Sequence, residues 1–220
     1  ADPKVRARLA SLGVEPMPER WVRLPGLRHI AGASFHTQHH QDRAHNFGFY
    51  TLLTNILVAL AFTAGAIGPR GRLTRFFNRP GTCTAAAMSI VVVSAVYNVM
   101  LRQLWHPQGW QLFADATLHD AMPLAFLAYW WIAVPKASLA WRQIPAWLGY
   151  PAAYFAYALA RGALNGWYPY PFLDVTNLGY VQVVINALLV LLFFIAVAVA
   201  LMGLARWQAR RAAQASTQPA

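Results

Sequence analysis

The stretch that decides the fold is VTNLGYVQVVINALLVLLFFIAVAVALMGLA, residues 175–205, which runs for 31 positions without Asp, Glu, Lys or Arg. A helix needs about 20 apolar residues to cross the roughly 30 Å hydrocarbon core of a bilayer, so this segment predicts a transmembrane span with length to spare. Two more runs behave alike: Phe47 to Pro69 and Pro80 to Leu101, charge-free over 23 and 22 residues. Shorter runs, Ala121 to Pro135 and Gln143 to Ala160, reach full length when extended back through His119 and Asp120 and forward to Arg161. Pro145 and Pro151 fall inside the second of these, where an interior proline removes a backbone hydrogen bond and bends a helix.

Composition agrees. Of 220 residues 58% are hydrophobic and only 11% charged, against roughly 25% charged in soluble domains. In lipid every backbone polar group must be satisfied within its own segment, so runs of this length predict an all-α, polytopic bundle rather than a barrel. The expected spans are about 47–69, 81–103, 115–135, 143–164 and 175–205. They are preceded by a polar tail, residues 1–46, with loop or interfacial character, and followed by a C-terminal tail, 207–220. Eleven charged side chains crowd into the first 46 residues, and Pro16, Pro18 and Pro25 argue against a span there. Cys83 is alone, which excludes a disulfide framework and a paired-cysteine metal site. The net charge of +11 and the 14% aromatic content would suit nucleic acid in a soluble chain. In a chain this apolar, the aromatic residues read as interfacial belts and no nucleic-acid partner is expected.

Basic residues set the orientation, because Lys and Arg accumulate on the cytoplasmic side of short loops. Arg70, Arg72, Arg75 and Arg79 follow the first span, Lys136 and Arg142 the third, and Arg206, Arg210 and Arg211 the fifth. The other side holds Arg102 and Arg161 with Asp115, Asp120 and Asp174. The C-terminus is therefore expected in the cytoplasm, and the Arg70–Arg79 cluster is expected to touch anionic headgroups.

Antiparallel alternation then brings polar residues from all five spans to one level. Thr51, Thr54 and Asn55 open the first, Asn98 and Arg102 close the second, and His119 and Asp120 open the third. Arg161 and Asn165 close the fourth, with Tyr157 one turn before, and Asp174, Thr176 and Asn177 open the fifth. Residues three or four apart share a helix face, which groups Thr51 with Asn55, Ser94 with Asn98 and Arg102, and Tyr157 with Arg161. The expected consequence is an outward-opening cavity with polar walls and an apolar floor, suited to an amphipathic lipid. Intramembrane Thr and Asn also serve simply to tie helices together, and Arg102 and Arg161 have Asp120 and Asp174 as candidate partners.

Three motifs carry a family resemblance: FYTLLTN at 49–55, LHDAMP at 118–123 and RGALNGWYPYPFLDV at 161–175. Together they resemble the androgen-induced-gene-like integral membrane family, in its bacterial branch, from about Phe47 to the end of the fifth span. The resemblance implies a bundle of usually six helices, one more than the five predicted here. It also implies a bacterial cytoplasmic-membrane location. Eukaryotic members hydrolyse fatty acid esters of hydroxy fatty acids with an intramembrane threonine as nucleophile and a histidine as its base. Carried over by motif, these are Thr51 and His119, with Thr54 as the competing threonine. No cofactor is implied.

The chemistry is consistent with the spacing. A threonine hydroxyl is a weak nucleophile until a base takes its proton, and His119 is the single histidine in an expected span. Asn55, Asn98 or Arg102 would meet an oxyanion, Arg161 a distal carboxylate, and Tyr157 and Asn177 the rest of the substrate. The rival expectation is a non-catalytic lipid-binding or small-solute transport protein on the same scaffold. His36, His39, His40 and His45 lie close together in the tail, but no further ligand set completes a metal site, and none is expected.

Overall fold

The computed structural model describes residues 49–103 and 106–217, and all regular structure among them is helical. The polar tail, its histidine cluster and the last three residues lie outside the described residues. Helix α1 covers Tyr50–Ile67, α2 Arg72–Phe77, and α3 Pro80–Val96, which runs on as a π-helical stretch, Tyr97–Leu101. Helix α4, Trp110–Ala116, passes through a second π-helical stretch, Thr117–Ala121, into α5, Met122–Ala133. Then come α6, Ile144–Trp147, α7, Gly149–Asn165, and α8, Val175–Thr217.

Among the described residues three helices are long and apolar enough to cross a membrane: Tyr50–Ile67, Pro80–Leu101 and Val175–Gln214. The segments expected as third and fourth spans are helical but differ in form. The third starts earlier, at Trp110, and is interrupted by its π stretch. The fourth is split at Leu148, and its prolines explain why. Pro145 is the second residue of α6 and Pro151 the third of α7, where a helix has unpaired N–H groups anyway, so each proline starts a helix instead of bending one. Helix α8 outruns its expected end at Ala205 because WQARRAAQA supplies good helix formers with no Gly or Pro to stop it. Its interruption lies near the other end, at Gly179, whose φ of 73° favours glycine.

Helix α3 is the axis of the bundle, packing against α1, α5 and α8. Ala87, Met88 and Ile90 are fully buried against Val58 and Ala61 of α1, Phe126 and Trp130 of α5, and Ala198 and Met202 of α8. Small side chains at Ala61, Ala64, Ala198 and Ala205 let the backbones approach, as membrane helices favour. Trp130, fully buried, has its ring nitrogen satisfied: Nε1 donates to Thr84 Oγ1 at 2.9 Å, and Thr84 donates to the Pro80 carbonyl at 2.7 Å. Lys136, expected as a loop charge, is buried at 8% exposure. Its ammonium closes the end of α5 by donating to the carbonyls of Trp130 and Val134, and sits 4.4 Å from the Trp130 ring centre. Burial lowers its pKa from the usual lysine value. Away from the core, α8 exposes Tyr180, Val181, Leu188, Leu189 and Leu192, a face that suits lipid better than water.

Candidate functional site

The two π-helical stretches face each other, and the second has a cause in the sequence. Within it the Met122 N–H reaches the Thr117 carbonyl, five residues back. One step on, the same register would bring residue 123 to the Leu118 carbonyl, but Pro123 has no N–H. The orphaned Leu118 oxygen takes its hydrogen bond from α1 instead, from Asn55 Nδ2 at 3.3 Å. Asn55 gives its other amide hydrogen to the Thr51 carbonyl at 2.9 Å. The residue expected to offer an oxyanion donor thus spends both donors on backbone, and its Oδ1 is buried without a partner.

Across from this, the Arg102 N–H reaches the Tyr97 carbonyl at 2.8 Å, closing the first π stretch. A charged and aromatic cluster fills the space between. Tyr97 and His119 stack with centroids 3.6 Å apart and planes 11° from parallel. The Tyr97 hydroxyl donates to Asp115 Oδ2 at 2.5 Å, while His119 Nδ1 lies 3.0 Å from the Asp115 carbonyl and 3.2 Å from its carboxylate. Both neighbours of Nδ1 are acceptors, so Nδ1 carries the hydrogen and a neutral ring keeps its lone pair on Nε2. Asp120 accepts from Asn98 Nδ2 at 3.1 Å and pairs with Arg102. Asp115 is the partner that sequence reasoning missed. Its four-residue spacing from His119 was the available signal.

Beside this cluster lies a cavity of about 320 Å³ between the start of α1, the end of α3, α7, the loop after α7, and α8. Val92, Val96, Phe155, Leu188, Leu191 and Phe194 typify its walls, and several lining residues carry hydroxyls. Those belong to Tyr50, Thr51, Tyr97, Tyr154 and Tyr170. Burial pushes the Tyr170 pKa up, so its hydroxyl remains a donor. The Tyr50 hydroxyl is buried without a hydrogen-bond partner, its ring held between Tyr150 and Tyr154 at 5.0 Å from each. Thr54 is fully buried one turn below Thr51, 3.1 Å from the Tyr150 hydroxyl, and does not line the cavity.

Apart from Asn55, whose donors are both taken by backbone, the expected site residues fall into three groups. Thr51 alone lines the cavity. Asn98, Arg102 and His119 are gathered around Asp115 and Asp120, and Tyr97 is the side chain common to that cluster and the cavity wall. The third group is peripheral. Arg161 donates to the Tyr157 hydroxyl at 3.1 Å and lies over Trp167 at 4.4 Å, while Asn177 is exposed and bonds Asp174 at 2.5 Å, neither facing the cavity. Among the described residues no group of three His, Cys, Asp or Glu side chains could hold a metal ion. The chain matches no family model, no curated protein and no solved structure.

Proposed function

We propose that the chain is a five-span membrane protein, of the androgen-induced-gene-like type, whose cavity accommodates the acyl part of an amphipathic lipid. The supporting observation is the cavity itself, apolar along its length with the Thr51 and Tyr170 hydroxyls at its wall. Its volume lies at the lower end of the roughly 300–1,000 Å³ typical of small-molecule pockets, which suits one chain segment rather than a whole lipid. In this reading α4 and α5 cross as one rod, since Trp110 to Ala133 at about 1.5 Å per residue spans roughly 35 Å, and α7 supplies the remaining crossing. In this reading the basic residues after α1 and α5 and in the last turns of α8 lie on the cytoplasmic side of a bacterial membrane with the C-terminus, and the cavity opens toward the outer side.

A second, catalytic reading is favoured by the Asp115–His119 pair, which orients an imidazole with Nε2 unengaged as esterases do. Here the Thr51 oxygen attacks the ester carbonyl of a fatty acid ester of a hydroxy fatty acid while a base takes its proton. The C–O bond to the alcohol breaks, the alcohol leaves with that proton, and water cleaves the acyl-threonine to the free acid. Tyr170 would donate to the developing oxyanion.

The test is a titration of the purified protein with a photoreactive long-chain hydroxy-fatty-acid ester. Saturable crosslinks mapping to α3, α7 and α8, reduced by Val96→Trp, support lipid accommodation; crosslinking that does not saturate rejects it. Product release that disappears in both Thr51→Ala and His119→Ala, with crosslinking retained, supports catalysis. Binding without product leaves the non-catalytic reading standing.

A further inference from the structure

At the end of the bundle away from the cavity, a second hollow of about 350 Å³ lies between α8 and the loop after α5, lined by Trp141, Gly203, Arg206, Trp207 and Arg210. The four α8 residues are spaced i, i+3, i+4 and i+7, so they form one stripe on one helix face. Gly203 makes the hollow: a methyl group added there would meet nothing within 4 Å. Beside the hollow, α8 is tied to α5: Gln208 donates to the Trp131 carbonyl at 3.0 Å and Trp131 packs on Trp207 with centroids 6.0 Å apart.

Charge makes this hollow selective. Arg102 is paired with Asp120, and Arg161 is engaged by Tyr157 and Trp167, but Arg206 and Arg210 have no partner among the described residues. All three described carboxylates, Asp115, Asp120 and Asp174, belong to the other end. Two guanidiniums one helical turn apart, about 6 Å along the axis, present forked donors matched to phosphate oxygens. Trp141 and Trp207 flank them, and both are half exposed, as indoles at a bilayer interface are. Back along α8, Leu204, Val199 and Leu192 continue the exposed apolar surface that an acyl chain would follow.

We propose that this hollow binds the phosphate headgroup of an anionic phospholipid from the cytoplasmic leaflet. Arg206 and Arg210 hold the phosphate diester, Trp141 and Trp207 pack on the glycerol region, and the acyl chains lie against α8. The site rests on the membrane-spanning reading but is independent of the cavity and of any catalysis there.

Native mass spectrometry of the protein released from micelles containing phosphatidylglycerol, phosphatidylcholine or inorganic phosphate tests this. Wild type should retain phosphatidylglycerol over phosphatidylcholine by about tenfold or more. Arg206→Gln with Arg210→Gln should abolish the preference, and so should Gly203→Leu, which fills the hollow without changing charge and meets open space, so the fold survives. Arg70→Gln, Arg72→Gln and Arg75→Gln together should leave it intact. Retention unchanged in the Arg206/Arg210 or Gly203 variants would overturn the proposal, as would equal loss in the Arg70 set, which would mean unselective surface charge. Displacement of the lipid by millimolar inorganic phosphate would reassign the site to a free anion. Crosslinking of the cavity by the photoreactive ester should be unaffected by these variants, so failure here is distinguishable from failure of the function proposed above.

Discussion

Replacing Asn55 by Leu tests how α1 is tied to the π stretch before α5. The change keeps the side-chain volume but removes the one donor that reaches the Leu118 carbonyl. A buried acceptor left unsatisfied costs about 1–3 kcal/mol, while interhelical polar couplings measured in lipid average about 0.6 and reach about 1.7 kcal/mol. The substitution also removes the buried, unpartnered Asn55 Oδ1, which returns part of the cost. A net loss of about 1 kcal/mol is expected. The decisive variant is Pro123→Ala, because an alanine there has the N–H that the π register aims at Leu118. In that background Asn55→Leu should cost less by about 0.5–1 kcal/mol, since the carbonyl then has a donor within its own helix. Reversible unfolding of the four proteins in detergent micelles completes the double-mutant cycle. Costs that add within about 0.3 kcal/mol would refute the view that Pro123 creates the need which Asn55 fills.

Three further perturbations follow from single contacts. Gly162→Ala drives a methyl group into the Tyr168 ring, so it should destabilise by about 1–3 kcal/mol in the same unfolding assay, and Tyr168→Ala should relieve it. Lys136→Met leaves the Trp130 and Val134 carbonyls without their donor and should cost about 1–3 kcal/mol, seen also as faster amide exchange in the last turn of α5. Tyr97→Phe keeps the ring on the cavity wall and against His119 but cuts its bond to Asp115. Ligand crosslinking should persist, and in the catalytic reading turnover should change severalfold through His119; a loss of crosslinking would show that the tether shapes the cavity.

The apolar helices were legible because their signal is one-dimensional: 31 or 22 consecutive uncharged residues dictate a helix whatever surrounds them. The interruptions were less so. Pro145 and Pro151 look alike as letters, and only their distance from a helix start decides between bending a helix and beginning one. Lys136 counted as one more loop cation, because nothing in the local string says that a chain reversal folds its ammonium back onto the end of its own helix. In each case the missing information was the position of a helix terminus.

The site shows the same division more sharply. Of the polar residues expected at one level from five spans, Asn98, Arg102, His119 and Asp120 meet from two helices, since depth follows from residue count alone. Depth says nothing about azimuth, and azimuth separates Thr51, which faces an apolar cavity, from Thr54, sealed against Tyr150 one turn away. A π stretch inserts one extra residue per turn and so rotates everything that follows by about 100°. With such a stretch in each of two facing helices, a face drawn at a uniform 3.6 residues per turn is wrong beyond Tyr97 and beyond Thr117. Tyr97, where the first stretch begins, lies on His119, so that one ring both walls the cavity and covers the imidazole. Tyr97 is thus the side chain shared by the cavity that Thr51 lines and the cluster that holds His119, which makes that ring the place to test whether binding and catalysis are separable.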